Sequence, residues 1–77
     1  MEARLTIRYE RVGDILCIDK VPQYPEQECD ELEEGILVGL NPRNEEVEGL
    51  EILFYSQSLS HSASLELPVE AALRLAS

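Results

Sequence analysis

Large aromatic side chains and histidine are scarce in this sequence. Among 77 residues there are no tryptophans, one phenylalanine, three tyrosines and one histidine. A chain of this length buries only about 60–65% of the surface that its unfolded form exposes, so its core must be thin. Small domains often gain the missing stability from a second copy of themselves. The totals therefore predict a single domain over residues 1–77 that forms a homo-oligomer, with a dimer favoured.

Basic residues are also few. Six lysines and arginines stand against sixteen aspartates and glutamates, which gives a formal charge of −10 at pH 7. A surface of this charge repels phosphate backbones and anionic lipid headgroups, so we expect no nucleic-acid binding and no membrane binding. The acidity has two interpretations. It serves solubility alone, or it attracts a basic protein partner.

Targeting segments and paired-cysteine motifs are missing as well. The N-terminal residues include no apolar stretch of signal-peptide length, and no run is long enough to span a membrane. We therefore expect a cytoplasmic protein. Cys17 and Cys29 match neither a zinc-binding spacing nor a Cys-x-x-Cys redox motif, and cytoplasmic thiols are kept reduced. The sequence predicts two free thiols.

A catalytic motif is lacking too. His61 is the single histidine, and it lies in a serine-rich segment without a Gly-x-Ser-x-Gly elbow. Catalysis would need a carboxylate and a nucleophile positioned beside it. The carboxylates of residues 26–34 lack the order of a calcium-binding loop, and no glycine-rich phosphate loop is present. We predict no catalytic residue, metal site or cofactor; a small hydrolase or ligand-binding enzyme using His61 is the enzymatic alternative.

The most hydrophobic block covers residues 35–54 and has the pattern of a β-hairpin. Two apolar runs flank a charged, turn-forming connection, in which we expect Glu45, Glu46 and Glu48 to be exposed. Alternation places one row of apolar side chains on a shared buried face: Ile36, Val38, Leu40, Leu50, Ile52 and Phe54. Val47 has the other parity, so a β-bulge at Gly49 is predicted to return it to the buried face.

A second hairpin is predicted near the N-terminus. Residues 4–9 alternate between apolar and polar side chains, as in a strand with one buried face, and Gly13 lies in the connection that follows. Residues 14–19 are apolar on both faces, which is typical of a central strand. If Leu16 and Ile18 point inward, Ile15 and Cys17 point to the reverse face and need a cover.

The remaining segments are more polar. Residues 20–34 contain Pro22, Pro25 and six carboxylates within residues 26–34, so we predict a long acidic loop that is a candidate contact surface. The serine-rich residues 56–64 form a linker, an edge strand or a short helix capped by Ser56. Residues 68–76 carry apolar side chains at i, i+3, i+4 and i+7, which predicts a C-terminal amphipathic helix.

These patterns together predict an α+β fold. It is a small antiparallel sheet of about four strands in two hairpins, with one or two short helices that include the C-terminal one. One face of the sheet and the stripe of that helix supply apolar residues that need burial, either within the chain or against a second copy. The candidate interface residues are Ile15, Cys17, Leu37, Leu53 and Leu73.

The run from Tyr9 to Ile18 resembles the opening of a family of short bacterial proteins called domain of unknown function 2283, whose pattern is Tyr-Asp-x-x-x-Asp-x-Leu-Tyr-Ile. Glu10 and Cys17 depart from that pattern. Residues 34–38 and 49–53 are similar to the family's second half, so the resemblance covers about residues 5–56. It implies a small sheet-based fold and no activity or cofactor that can be transferred. Some relatives look like the smaller partner of a toxin and antitoxin pair.

The predicted function is a non-catalytic interaction module that associates with itself. The first alternative, which the resemblance implies, is an antitoxin-like acidic protein that masks a basic toxin partner. The enzymatic alternative built on His61 comes after both of these, because no second catalytic group is placed near that residue by any motif.

Overall fold

The chain forms one antiparallel sheet followed by a short helix. The computed structural model describes residues 4–61 and 64–76, without the side chains of Ser60 and His61. The elements are β1 (Thr6–Glu10), β2 (Ile15–Asp19), β3 (Glu28–Glu33), β4 (Ile36–Leu40), β5 (Val47–Leu53) and α1 (Tyr55–His61). The strand order is β1-β2-β5-β4-β3, and every neighbouring pair is antiparallel. The predicted fold class is confirmed, with one strand more than expected.

The last strand in sequence is the middle strand of the sheet. β5 lies between β2 and β4 and joins the hairpin β1–β2 to the hairpin β3–β4. Directly paired residues of antiparallel strands share a face. Leu50 is opposite both Ile18 and Val38, and these residues define what we call the front face. Cys17 is opposite Glu51 on what we call the back face.

The core is thin, as the chain length predicts. The buried apolar side chains are Cys17, Val38, Leu50 and Ile52. Val38, Leu50 and Ile52 belong to the front face, in agreement with the predicted row, whereas Cys17 is buried on the back face. The prediction was wrong for Phe54, which follows β5 in a left-handed conformation with φ of 55° and is mostly exposed. The positive φ turns the chain into α1, so Phe54 leaves the alternation of β5.

β3 lies within the segment that was predicted to be a loop. All six of its residues are exposed, and among the described strands it pairs only with β4. An edge strand that is exposed on both faces needs no apolar alternation, so the sequence contains no periodic signal for it. The two prolines that favoured a loop precede β3, and the loop itself is confined to residues 20–27. Gly35, with φ of 82°, makes the turn to β4.

The predicted bulge is present, but its consequence is different. Gly39 is opposite Gly49 and Leu40 is opposite Val47, so Glu48 is the additional residue. Val47 remains 38% exposed, while Glu48 is only 8% exposed, so the predictions for both side chains were wrong. A side chain at Gly49 would place its Cβ 3.1 Å from Oδ1 of Asp19, which explains why a glycine stands beside the bulge.

The C-terminal helix predicted over residues 68–76 is not formed. Residues 70–76 have no regular structure and are exposed, and Leu73 and Leu75 are among the most exposed apolar residues. So short a helix forms only when its apolar stripe is docked, and here the stripe is exposed except at the half-buried Val69. The helix that does form, α1, begins at Tyr55, so Ser56 is not its N-cap. Within the described ranges, no helix is long and apolar enough to cross a membrane.

Candidate functional site

β1 is an open edge of the sheet. Among the strands that the structure describes it pairs with β2 alone, and all five of its residues are exposed. Leu5, Ile7 and Tyr9 are exposed by 53%, 67% and 45%, and their spacing puts them on the front face, since Ile7 is opposite Ile18 and belongs with the core row. We call these three residues the β1 row. The sequence predicted that the row would be buried; the structure corrects this, because β1 is at the sheet edge and not inside it.

The back face of β1 is polar and held in place. Arg8 donates two hydrogen bonds to Oδ2 of Asp19, from Nε at 3.1 Å and from Nη2 at 3.0 Å. Its Nη1 lies 3.6 Å from Oε1 of Glu10. Asp19 is only 8% exposed, so this ion pair fixes the guanidinium against β2. Along β1, the side chains therefore alternate between an apolar row on the front face and a polar row on the back face.

Asp14 joins the first hairpin to α1. Its carboxylate accepts hydrogen bonds from Tyr9 Oη at 2.6 Å, from Ser56 N at 3.1 Å and from Ser56 Oγ at 2.8 Å. The bond from Tyr9, followed by that from the Ser56 backbone, lowers the pKa of Asp14. The same bond raises the pKa of Tyr9. The ring of Tyr9 also meets that of Tyr55 edge-on, with centroids 5.9 Å apart, so both ends of the tyrosine are fixed.

A buried carboxylate holds residues 20–27 against the sheet. Glu48 accepts hydrogen bonds from Tyr24 Oη at 2.6 Å, Gln27 Nε2 at 3.1 Å and Asn41 Nδ2 at 3.1 Å. We call these four residues the Glu48 cluster. The bond from Tyr24 is the largest cause that lowers the pKa of Glu48, and it raises the pKa of Tyr24 to about 12. The cluster is therefore a structural anchor in which Glu48 stays ionised.

A cleft of about 230 Å³ lies on the back face, over the point where Gly39 is opposite Gly49. Both carboxylates of its lining have partners within the chain, because Arg8 binds Asp19 and Gln23 Nε2 donates to Glu51 Oε1 at 3.0 Å. The lining residues are Asp19, Gln23, Tyr24, Gln27, Cys29, Leu37, Val38, Gly39, Gly49, Leu50 and Glu51. The lining amides of Gln23 and Gln27 donate to Glu51 and Glu48 and hold the loop against the sheet, while Asp19 holds β1 through Arg8.

Four of the five candidate interface residues lie together on the back face. Ile15 is opposite Leu53, while Cys17 and Leu37 flank Glu51 on its two sides. Ile15, Leu37 and Leu53 are half-buried, and Cys17 is 2% exposed, so it is covered within a single chain. Leu73 lies in the exposed segment after α1. Their role in an interface stays a prediction, and the β1 row is the apolar surface that sequence reasoning missed.

The remaining chemical groups are dispersed. Both cysteines are free; Cys17 is buried, which raises the pKa of its thiol, and Cys29 is exposed on β3. Among residues 4–61 and 64–76, no three histidine, cysteine, aspartate or glutamate side chains are grouped to hold a metal ion. The side chain of His61 lies outside the described part of the chain, so the enzymatic alternative stays a prediction.

The opposite edge of the sheet is acidic. β3 exposes Glu28, Asp30, Glu31 and Glu33, and Glu26 and Glu34 flank it. Leu32 is the one large apolar side chain of β3, and it is 43% exposed. Charged side chains on an edge strand discourage pairing with other strands. The two edge strands of the sheet therefore differ in chemistry: β3 exposes carboxylates, whereas β1 exposes an apolar row.

Comparison with known proteins found no counterpart: no family model, no curated protein and no solved structure matches the chain. The resemblance to the short bacterial family thus rests on the residues that carry it and stays a prediction.

Proposed function

We propose that the protein is a non-catalytic interaction module that associates with itself through β1. The observation that carries the proposal is the β1 row, which is exposed at an edge of the sheet that no other described strand pairs with. An edge strand with an apolar row and no proline is a ready template for another strand. The thin core gives a second reason, because small domains gain stability from a second copy.

A charged substitution in the β1 row tests this function. In Ile7→Lys an ammonium group replaces the most exposed apolar side chain of the row, and the cost of desolvating it should abolish association. We expect sedimentation velocity to show a concentration-dependent dimer of the wild type between about 1 µM and 1 mM, and a monomer of the variant.

The matched control for Ile7→Lys is Val12→Lys. Val12 is fully exposed in the connection between β1 and β2, outside either strand, so the same change there should leave the dimer intact. A wild type that remains monomeric over the whole concentration range would refute self-association. Equal dimerisation of Ile7→Lys and the wild type would refute the role of β1.

The acidic edge favours a second candidate, a protein that masks a basic toxin partner. Its support is the exposed row of carboxylates along β3, which complements a basic surface. Capture of a basic partner from a lysate should succeed at low salt, weaken steeply as salt rises, and decline when Glu28, Asp30 and Glu31 are replaced by their amides. Recovery of the same proteins by that amide variant would count against this candidate.

A further inference from the structure

We propose that two copies pair their β1 strands in antiparallel fashion about a two-fold axis at Ile7, which makes one continuous sheet of ten strands from the five of each copy. This inference rests on the proposed function and specifies its geometry. Most homo-oligomers are closed two-fold dimers, and in such an interface the same surface meets itself. Residues 4–10 must therefore be complementary to their own reversed sequence.

The pairing about Ile7 has this self-complementarity. With Ile7 opposite Ile7 of the second copy on the axis, Leu5 lies opposite Tyr9 and Arg4 lies opposite Glu10, and each of these last two pairs occurs twice. The apolar row then continues across the axis on the front face, so that the exposed side chains of both copies cover one another. On the back face, each end of the pairing brings the guanidinium of Arg4 opposite the carboxylate of Glu10 from the other copy.

Neighbouring registers lack this match. Residues that lie opposite each other must share a face of the sheet, so the two-fold axis must pass through a residue and not between two residues. The neighbouring registers therefore have the axis one residue earlier or one residue later. An axis at Arg8 puts two guanidinium groups opposite each other, and an axis at Thr6 puts Arg4 opposite Arg8 of the other copy. Like charges directly opposite are destabilising. Of the axes at Thr6, Ile7 and Arg8, only the axis at Ile7 pairs opposite charges.

The charge distribution also limits the assembly to two copies. Each chain carries a formal charge of −10, but the repulsion between distant charges is screened beyond about 8 Å at physiological salt, while charges in contact are screened much less. After β1 has paired, the edges left open are the two β3 strands, whose carboxylates repel each other. The result is a closed dimer with acidic outer edges.

The size of the contact sets the expected strength. Residues 4–10 supply far fewer side chains than the roughly 20–30 per partner of a standard stable interface. The dimer should therefore be weak, and single substitutions at its charged pairs should have large effects, because two-fold symmetry counts each change twice.

A charge-swap experiment tests the register. Arg4→Glu alone places two pairs of carboxylates across the axis, and Glu10→Arg alone places two pairs of guanidinium groups there. We expect each variant to dimerise at least tenfold more weakly than the wild type in sedimentation equilibrium. In an equimolar mixture of the two variants, every cross-axis pair again joins opposite charges, so heterodimers should form with close to wild-type affinity.

The controls for the charge swap are Arg43→Glu and Glu45→Arg, which make the same changes of charge in the exposed turn between β4 and β5. Thermal melts establish that every variant is folded. Wild-type dimerisation of both single variants, or a mixture that stays monomeric, would overturn this register while self-association stands. A wild type that never dimerises would overturn both the register and the proposed function.

Discussion

Glu48→Ala should lower the melting temperature by roughly 10–20 °C, the largest effect that we expect from a single substitution of a polar residue. The change removes an acceptor that takes hydrogen bonds from Tyr24, Gln27 and Asn41. Without it, residues 20–27 lose the two side-chain bonds by which Tyr24 and Gln27 hold them to the sheet. Thermal unfolding followed by circular dichroism measures the effect. Glu46→Ala is the matched control, because that glutamate is exposed two positions away.

The effect of Glu48→Ala should depend on pH in a defined way. The folded state lowers the pKa of Glu48 below its ordinary value of 4.5, so the contribution of the carboxylate is complete above that pH and declines as the pH falls through the folded value. At the alkaline end the pKa of Tyr24 is raised from 10.0 to about 12, so its contribution is complete below pH 10 and is lost as the pH approaches 12. The difference in stability between wild type and variant should be widest between these limits. A pH-independent difference would contradict the ionised cluster.

Asp14→Ala should lower the melting temperature by roughly 5–15 °C for two separate reasons. It removes the acceptor that Tyr9 and Ser56 share. It also places alanine at a φ of 54°, a left-handed conformation that aspartate and asparagine tolerate better. The hairpin β1–β2 would then lose its connection to the start of α1. Thermal melts and the helical signal in circular dichroism measure both consequences.

Asp14→Gly separates these two reasons. Glycine adopts positive φ at no steric cost, but it also lacks the acceptor, so its melting temperature should lie between those of wild type and Asp14→Ala. Asp30→Ala, which removes an exposed carboxylate from β3, should leave the melting temperature nearly unchanged. Equal stability of wild type and Asp14→Ala would show that the junction does not stabilise the fold.

Apolar runs and apolar alternation predicted four of the five described strands, because β2, β4 and β5 lie in the middle of the sheet and β1 has a regular apolar row. They could not predict β3, because all residues of that strand are exposed and its sequence has no alternation of apolar and polar side chains. They also did not reveal that β1 is an edge, since an exposed apolar row and a buried one have the same alternation. Strand order decides between the two, and it depends on pairing between distant segments.

The candidate site shows the same limit. Periodicity indicated an irregularity near Gly49, but it assigned the buried position to Val47, because apolar residues are buried more often than glutamate. The burial of Glu48 depends on hydrogen bonds from Tyr24, Gln27 and Asn41. These three residues are separated from it in sequence by unequal spacings, so no periodic pattern links them to it. Likewise, residues 68–76 do have apolar side chains at helical spacing. A segment this short becomes helical only when those side chains pack against another surface.

The position of β5 has a consequence for how the chain is synthesised and folded. The hairpins β1–β2 and β3–β4 form from local contacts, but each is a pair of strands that is barely stable alone. They become one sheet only when β5, the last strand to leave the ribosome, enters between β2 and β4. We expect this insertion to be the slow step, because it closes long stretches of chain. Until β5 is in place, the edges of β2 and β4 that it covers in the finished sheet remain open.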